Sequence, residues 1–324
     1  MKKLYVFVSL LAALTMLLAA CAPKATPTPV ATVPPVTLGT ADDPLVMALA
    51  PSANTETLMA GGDAIAAKLT EMTGYTIKVI VPTNYAALIE AMGSGNAQIG
   101  WLPPAAYIVA KAKGYAEVGM VTLRNGADHY AFQFIANVDQ GFKVYYDPAT
   151  GTNTAGASQA LAQFAGKKPC YTDPLSASGY LVPAGYLANQ GIKTVAGAWV
   201  QGHPTVVKSL YLSPKGEICN FGATYVPMPD ITKDFPDAKD KVVTIWVSEP
   251  RIPNDTVAYS MDVPAEMRDK ITAALIELAS NADGLKLLKD GGYSIGGLKA
   301  VDDSFFDDYR AYLESIHFDI NSYR

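Results

Sequence analysis

Charge is scarce in this chain, and its scarcity excludes several functions before any motif is read. Only 17% of the residues are charged, the net charge is −5, and the lysines and arginines are dispersed. No basic stripe is available for nucleic acid, so no nucleic-acid partner is expected. An anion bound by such a chain would be held mainly by dipoles. Histidine is equally rare, with 3 in 324 residues. H-E-x-x-H and dense His, Cys and carboxylate clusters are missing, so neither a metal nor another cofactor is expected. The G-x-S-x-G elbow of many serine hydrolases is missing too. Beyond the first residues no apolar run reaches membrane-spanning length.

The N-terminus "MKKLYVFVSLLAALTMLLAAC" joins two lysines, an apolar run and small residues ending at Cys21. That order is the order of a secretory leader, residues 1–20. Leu18-Ala19-Ala20-Cys21 resembles the bacterial lipobox, in which the cysteine carries lipid. The alternative is an uncleaved membrane anchor. Residues 21–42 contain "APKATPTPVATVPPVT", which cannot bury apolar surface and favours extended chain. This segment is expected to tether a body held on the outer face of the cytoplasmic membrane. With Cys21 lipidated, Cys170 and Cys219 remain of the 3 cysteines, and an oxidising compartment favours a disulfide between them. Two separate buried thiols are the other possibility.

Along the body, strand and helix patterns alternate. "LVMALA", "ETLMAGGDAIAAKLTEMTG" and "TIKVIVP" read as strand, helix and strand, a βαβ unit. A helix capped by Asn84 follows, then "AQIGWLPP" as strand and "AAYIVAKAKG" as helix. From about Tyr130 a second series begins with "YAFQFIANVDQ", and "EPRIPND" reads as a connector back to the first. The pattern predicts an α/β fold of two lobes, residues 43–130 with 253–324 and residues 131–252, separated by a ligand cleft. Crossovers fall near Asp128–Phe132 and Ser248–Asn254.

"PSANTETL", "NYAALIEAMGSGNAQIGWLPPAAY", "DPLSASGYLVPAGYLANQGI", "GHPTVVKSL" and "SEPRIPND", in that order, resemble the PhnD-type phosphonate, phosphite and phosphate-binding proteins of ABC importers. The resemblance covers most of the body. It implies a type II-like periplasmic-binding-protein fold, two mixed sheets flanked by helices, and a monomer that closes on a small phosphorus oxyanion and docks on a membrane permease.

It also implies a site. Ser176 or Ser178 would cap a helix starting near Gly179, placing hydroxyls, free N–H groups and the positive helix end together. Taken alone, S-x-S-G is an ordinary N-cap, and Ala177 stands where the family commonly has a hydroxyl. The histidine matching His203 in "GHP" donates to phosphonyl oxygens in such proteins. Tyr85 and Tyr107 match ligand-binding tyrosines, and Ser52, Asn54 and Thr55 would add dipoles or a plain cap. Asp255, a carboxylate facing an anion, would need a P–OH, a P–H or a ligand ammonium between them. It would then select by repulsion against proton-free anions such as sulfate. Glu217, Tyr225 and Asp230 are unranked candidates for the organic part of the ligand, and Trp101 and Trp199 could line it.

The expected function is therefore non-enzymatic capture of a phosphorus oxyanion. A sulfonate or thiamine-precursor binder is an alternative. An exported hydrolase using Ser178 as nucleophile and His203 as base is the rival from a different class.

Overall fold

The described residues of the computed structural model are 37–290 and 295–319. The leader, Cys21 and most of the tether lie outside them. The body begins at Leu38. Gly39 and Thr76 tie this start down, since Thr76 N–H donates to Gly39 O at 2.7 Å.

The first half of the chain runs β1 (Leu45–Leu49), α1 (Thr55–Thr73), β2 (Ile77–Ile80), α2 (Tyr85–Gly93), β3 (Ile99–Leu102), α3 (Pro104–Ala112) and β4 (Ala116–Leu123). Caps set where these helices begin: Asn54 Oδ1 accepts from Thr57 N–H at 3.0 Å, and Asn84 Oδ1 from Ala87 N–H at 2.8 Å. Then come β5 (His129–Tyr130), β6 (Phe132–Asn137), the hairpin β7 (Tyr146–Asp147) and β8 (Thr152–Asn153), α4 (Ala157–Leu161), β9 (Pro169–Tyr171) and α5 (Val182–Asn189). The series continues with β10 (Ala198–Trp199), α6 (His203–Tyr211), β11 (Phe221–Tyr225), α7 (Ala238–Lys241), β12 (Val242–Val247) and β13 (Ile252–Pro253). It closes with β14 (Thr256–Ser260), α8 (Ala265–Ser280), α9 (Ala282–Leu288), β15 (Gly297–Ala300) and α10 (Asp307–Ser315).

Two mixed sheets result. A 6-stranded sheet has the order β15-β4-β14-β3-β1-β2, and a 5-stranded sheet the order β10-β9-β11-β6-β12. In the first, β1 pairs in parallel with β2 and β3, as the βαβ pattern predicts, whereas β14 runs antiparallel between β3 and β4. In the second, β9 is parallel to β10 and β11, and β6 is antiparallel to β11 and β12. Apolar strand faces meet amphipathic helices on both sheets. Leu58, Ile65 and Leu69 of α1 and Ile271 and Leu275 of α8 bury against the first, and Phe134, Phe164 and Phe221 form an aromatic seam in the second.

The tail, which reads as helical in sequence, breaks at Asn281, whose side chain accepts from Gly284 N–H at 2.8 Å and starts α9. Cys170 and Cys219 form a disulfide with a Cα–Cα distance of 5.5 Å.

The segments joining the sheets pair with each other. β5 and β13 make a two-stranded antiparallel ribbon with Tyr130 opposite Ile252. Asn254 N–H donates to Asp128 O, and Ser248 N–H to Phe132 O, each at 2.9 Å. Helix α10 leans on α5, where Gly185 leaves room for Ile316 and Tyr312 OH donates to Val182 O at 3.5 Å.

Candidate functional site

Beyond β9 the chain turns through Asp173 and Leu175 to Ser176, whose extended backbone (φ −75°, ψ 118°) ends the loop. Ser176 Oγ accepts from Gly179 N–H at 3.1 Å, the N-cap expected from the sequence. The helix opens with a wide turn: Leu181 N–H reaches Ser176 O at 2.9 Å, one residue further than in an α-helix. Pro183, which has no N–H, stands just inside the regular helix. Ala177 and Ser178 occupy first-turn positions, whose N–H groups have no intrahelical acceptor. Gly179 is required by close approach, because a methyl group there would overlap Thr172 Oγ1 and Ser176 Oγ.

Facing this mouth, Tyr130 OH donates to Ser178 Oγ at 3.4 Å. The Arg124 guanidinium, carried just beyond β4, lies over the rings of Tyr130 and Tyr225 at 5.7 and 5.9 Å. Its Nη2 donates to Asp255 Oδ2 at 2.9 Å. His203 starts α6 with its ring centroid 4.6 Å from that of Tyr225. Ser176, Ser178, Gly179, His203 and Asp255 are thus joined into one cluster through Tyr130, Arg124 and Tyr225. Arg124 and Tyr225 also stand in the wall of a cavity of about 370 Å³ with Ser52, Asn125, Met228 and Asp230.

Asp255 is not the solitary acid the sequence suggests. Burial raises its pKa, and the Arg124 charge works against that rise. An ion-paired carboxylate is compensated, so the expected selection by repulsion loses its basis. His203 is only 3% exposed, and burial, followed by the Arg124 charge, lowers its pKa to about 3. Its imidazole is neutral at physiological pH, with Nδ1 buried and without a hydrogen-bond partner among the described residues. Arg124 Nε and Thr172 Oγ1 are in the same condition, as is Tyr309 OH beside Tyr130. Folded proteins leave few such groups unpaired. A small oxyanion accepts hydrogen bonds from guanidinium, hydroxyl and ring N–H alike, which is the chemistry this arrangement can perform.

Other expected residues lie elsewhere. Tyr107 OH donates to Asp303 Oδ1 at 2.6 Å, and Arg310 pairs with the same carboxylate. Its hydroxyl proton is committed to this partly exposed carboxylate, so in this arrangement Tyr107 ties α3 to the segment before α10 and not to the serine mouth. Tyr85 is buried at the start of α2 and its N–H donates to Asp173 Oδ2 at 3.3 Å, close to the serine mouth. Thr55 is exposed and lines a different cavity, of about 510 Å³, with Asn54, Gly202 and Pro204. Glu217 accepts from Lys215 N–H in an exposed turn. Asp230 pairs with Lys239 at 2.6 Å on the cavity rim. Trp101 is buried in the first core, while Trp199 packs half-exposed on Tyr180. No hydrogen bond links Ser178 to His203 among the described residues, and no group of three or more potential metal ligands occurs among them.

Arg124, Tyr130, Thr172 and Tyr309 were not legible in the sequence as members of this candidate site. One signal pointed to the first: Arg124 is one of 5 arginines and the lone Lys or Arg between Lys113 and Lys143.

Two mixed sheets joined by a short ribbon, with polar groups buried where their segments meet, define a two-lobed solute-binding protein. The chain matches the family described as ABC transporter, phosphonate, periplasmic substrate-binding protein across residues 47–306, and it belongs to that family. It is 26% identical over 274 residues to the phosphate-import protein PhnD of Mycolicibacterium smegmatis, covering 80% of this chain and 78% of that one. Among solved structures it is similar to a binding protein component of an ABC phosphonate transporter from Pseudomonas aeruginosa. That likeness has a TM-score of 0.68 and 22% identity, covering 83% of this chain and 85% of the other. It is also similar to PhnD1 of Prochlorococcus marinus in complex with methylphosphonate, with a TM-score of 0.71 and 11% identity over 85% and 98% of the two chains.

Proposed function

We propose that the protein captures a small phosphorus oxyanion, phosphate, phosphite or a phosphonate, and delivers it to an ABC permease. The ligand would sit against Ser176, Ser178 and Gly179 at the mouth preceding α5, with Thr172, Tyr130 and Arg124 beside it and His203 donating from α6. Tyr85 and Asp255 complete the wall. The observation that carries this reading is the set of buried polar atoms of Arg124, Thr172 and His203 that have no hydrogen-bond partner among the described residues, grouped with hydroxyls that an oxyanion can bridge. Residues 43–130 with 253–324 form one lobe and 131–252 the other, and contacts from both favour the closed state.

The protein acts as a monomer, without catalysis. It is exported by the leader at residues 1–20 and anchored through lipid on Cys21. Mass spectrometry of the protein recovered from membranes tests the anchor, with a lipidated Cys21 at the N-terminus as the expected result. Calorimetric titration with phosphate, phosphite and methylphosphonate, with sulfate as control, tests the ligand class. Saturable binding of at least one phosphorus oxyanion is expected, and no binding of any of them overturns the reading. Turnover of phosphate esters by the purified protein would instead favour the hydrolase.

A further inference from the structure

We propose that Arg124 sets the charge class of the ligand: the pocket accepts phosphorus oxyanions whose substituent is uncharged or anionic and turns away those bearing an ammonium group. This rests on the phosphorus-oxyanion reading of the site. A carboxylate in such a pocket invites an ammonium, and Asp255, its side chain 14% exposed, is the candidate. Its Oδ2 is already taken by Arg124 Nη2 at 2.9 Å. The guanidinium cannot swing aside freely, because the Tyr130 and Tyr225 rings flank it at 5.7 and 5.9 Å. An ammonium brought to Asp255 would therefore stand beside a fixed cation in a poorly solvated site, where like charges repel strongly.

Among the described residues, the neighbouring carboxylates are already engaged. Asp173 accepts Leu175 N–H at 2.8 Å with one oxygen and Tyr85 N–H at 3.3 Å with the other. Asp230, on the wall of the adjoining cavity, is held by Lys239 at 2.6 Å and by the Thr232 hydroxyl at 2.6 Å. Asp303 is bound by Tyr107 and Arg310. The cavity into which a substituent would extend, about 370 Å³, adds a second cation, Lys289, and apolar surface from Val226, Pro227 and Met228. Methyl or carboxymethyl groups suit that lining better than an aminoalkyl chain.

The test is calorimetric titration of the intact protein with phosphate, methylphosphonate, phosphonoacetate and 2-aminoethylphosphonate. The expected result is that 2-aminoethylphosphonate binds about tenfold or more weakly than methylphosphonate, because it alone adds a cation beside Arg124. A smaller gap, or a preference for the amine, overturns the inference while leaving the phosphorus-oxyanion reading intact. If none of the four binds, both fall. In Arg124→Gln the gap should close, whereas Arg124→Lys, which keeps the charge, should preserve it. Thermal unfolding of each variant establishes that it is folded, and a gap unchanged in folded Arg124→Gln also overturns the inference.

Discussion

His203 keeps its imidazole neutral inside the fold, with a pKa of about 3 against an ordinary 6.5. Between those values the unfolded chain takes up a proton that the folded one refuses. Stability from this group is therefore complete above about pH 6.5 and falls below it, by at most about 1.4 kcal/mol per pH unit. Thermal unfolding at pH 7 and pH 5 should show a larger loss for the ligand-free wild type than for His203→Gln. Asp255, whose pKa is raised, acts in the opposite sense. It is common to both proteins, so the difference isolates the imidazole. For binding, His203→Ala and Ser178→Ala should each weaken the oxyanion complex by about 1.5 to 3 kcal/mol, the worth of a hydrogen bond to a charged group. Calorimetry reads that loss directly. The Ser176 cap was legible because helix-start signals are local, whereas Ser178, His203 and Asp255 were singled out as ligand candidates through the family resemblance. Arg124 was not, since its partner lies 131 residues away and only folding brings them together.

The helix mouth is the element on which the pocket depends. Gly179→Ala should push a methyl group into Thr172 and Ser176, costing about 1 to 3 kcal/mol by overpacking and lowering ligand affinity as well. Urea unfolding and titration of the same sample would separate the two effects. The Cys170–Cys219 bridge closes a loop with a separation of 49 residues. On chain entropy alone it is worth about 4 kcal/mol. Cys170→Ser and Cys219→Ser should lose similar stability, and the wild type under reducing conditions should match them. Strands rich in apolar residues, such as Leu45–Leu49 and Val242–Val247, were readable in the sequence. The central strands β4 and β14 were not. β4 carries Gly119, which makes space for Tyr259 of β14, so a packing requirement between distant segments interrupts the local pattern.

For the whole molecule, a saturating phosphorus oxyanion should raise the melting temperature, since a ligand bound only by the folded form stabilises it. Small-angle scattering should show contraction on binding, and a radius of gyration unchanged by ligand would contradict lobe closure. The alternation of strands and helices made an α/β fold visible in advance, and the two mixed sheets followed from the family resemblance. The leaning of α10 on α5 was not visible, because tertiary packing of amphipathic helices leaves no signature of its partner. The position of the ribbon has a further consequence. Tyr130 lies within it, and Asp255, the partner of Arg124, follows just after Pro253, at the pivot about which any swing of the halves must turn. Groups near an axis travel least, and Ser178, whose Oγ is 3.4 Å from Tyr130 OH, shares that position. An oxyanion held there would meet Arg124 and Ser178 in much the same places whether the halves are open or shut.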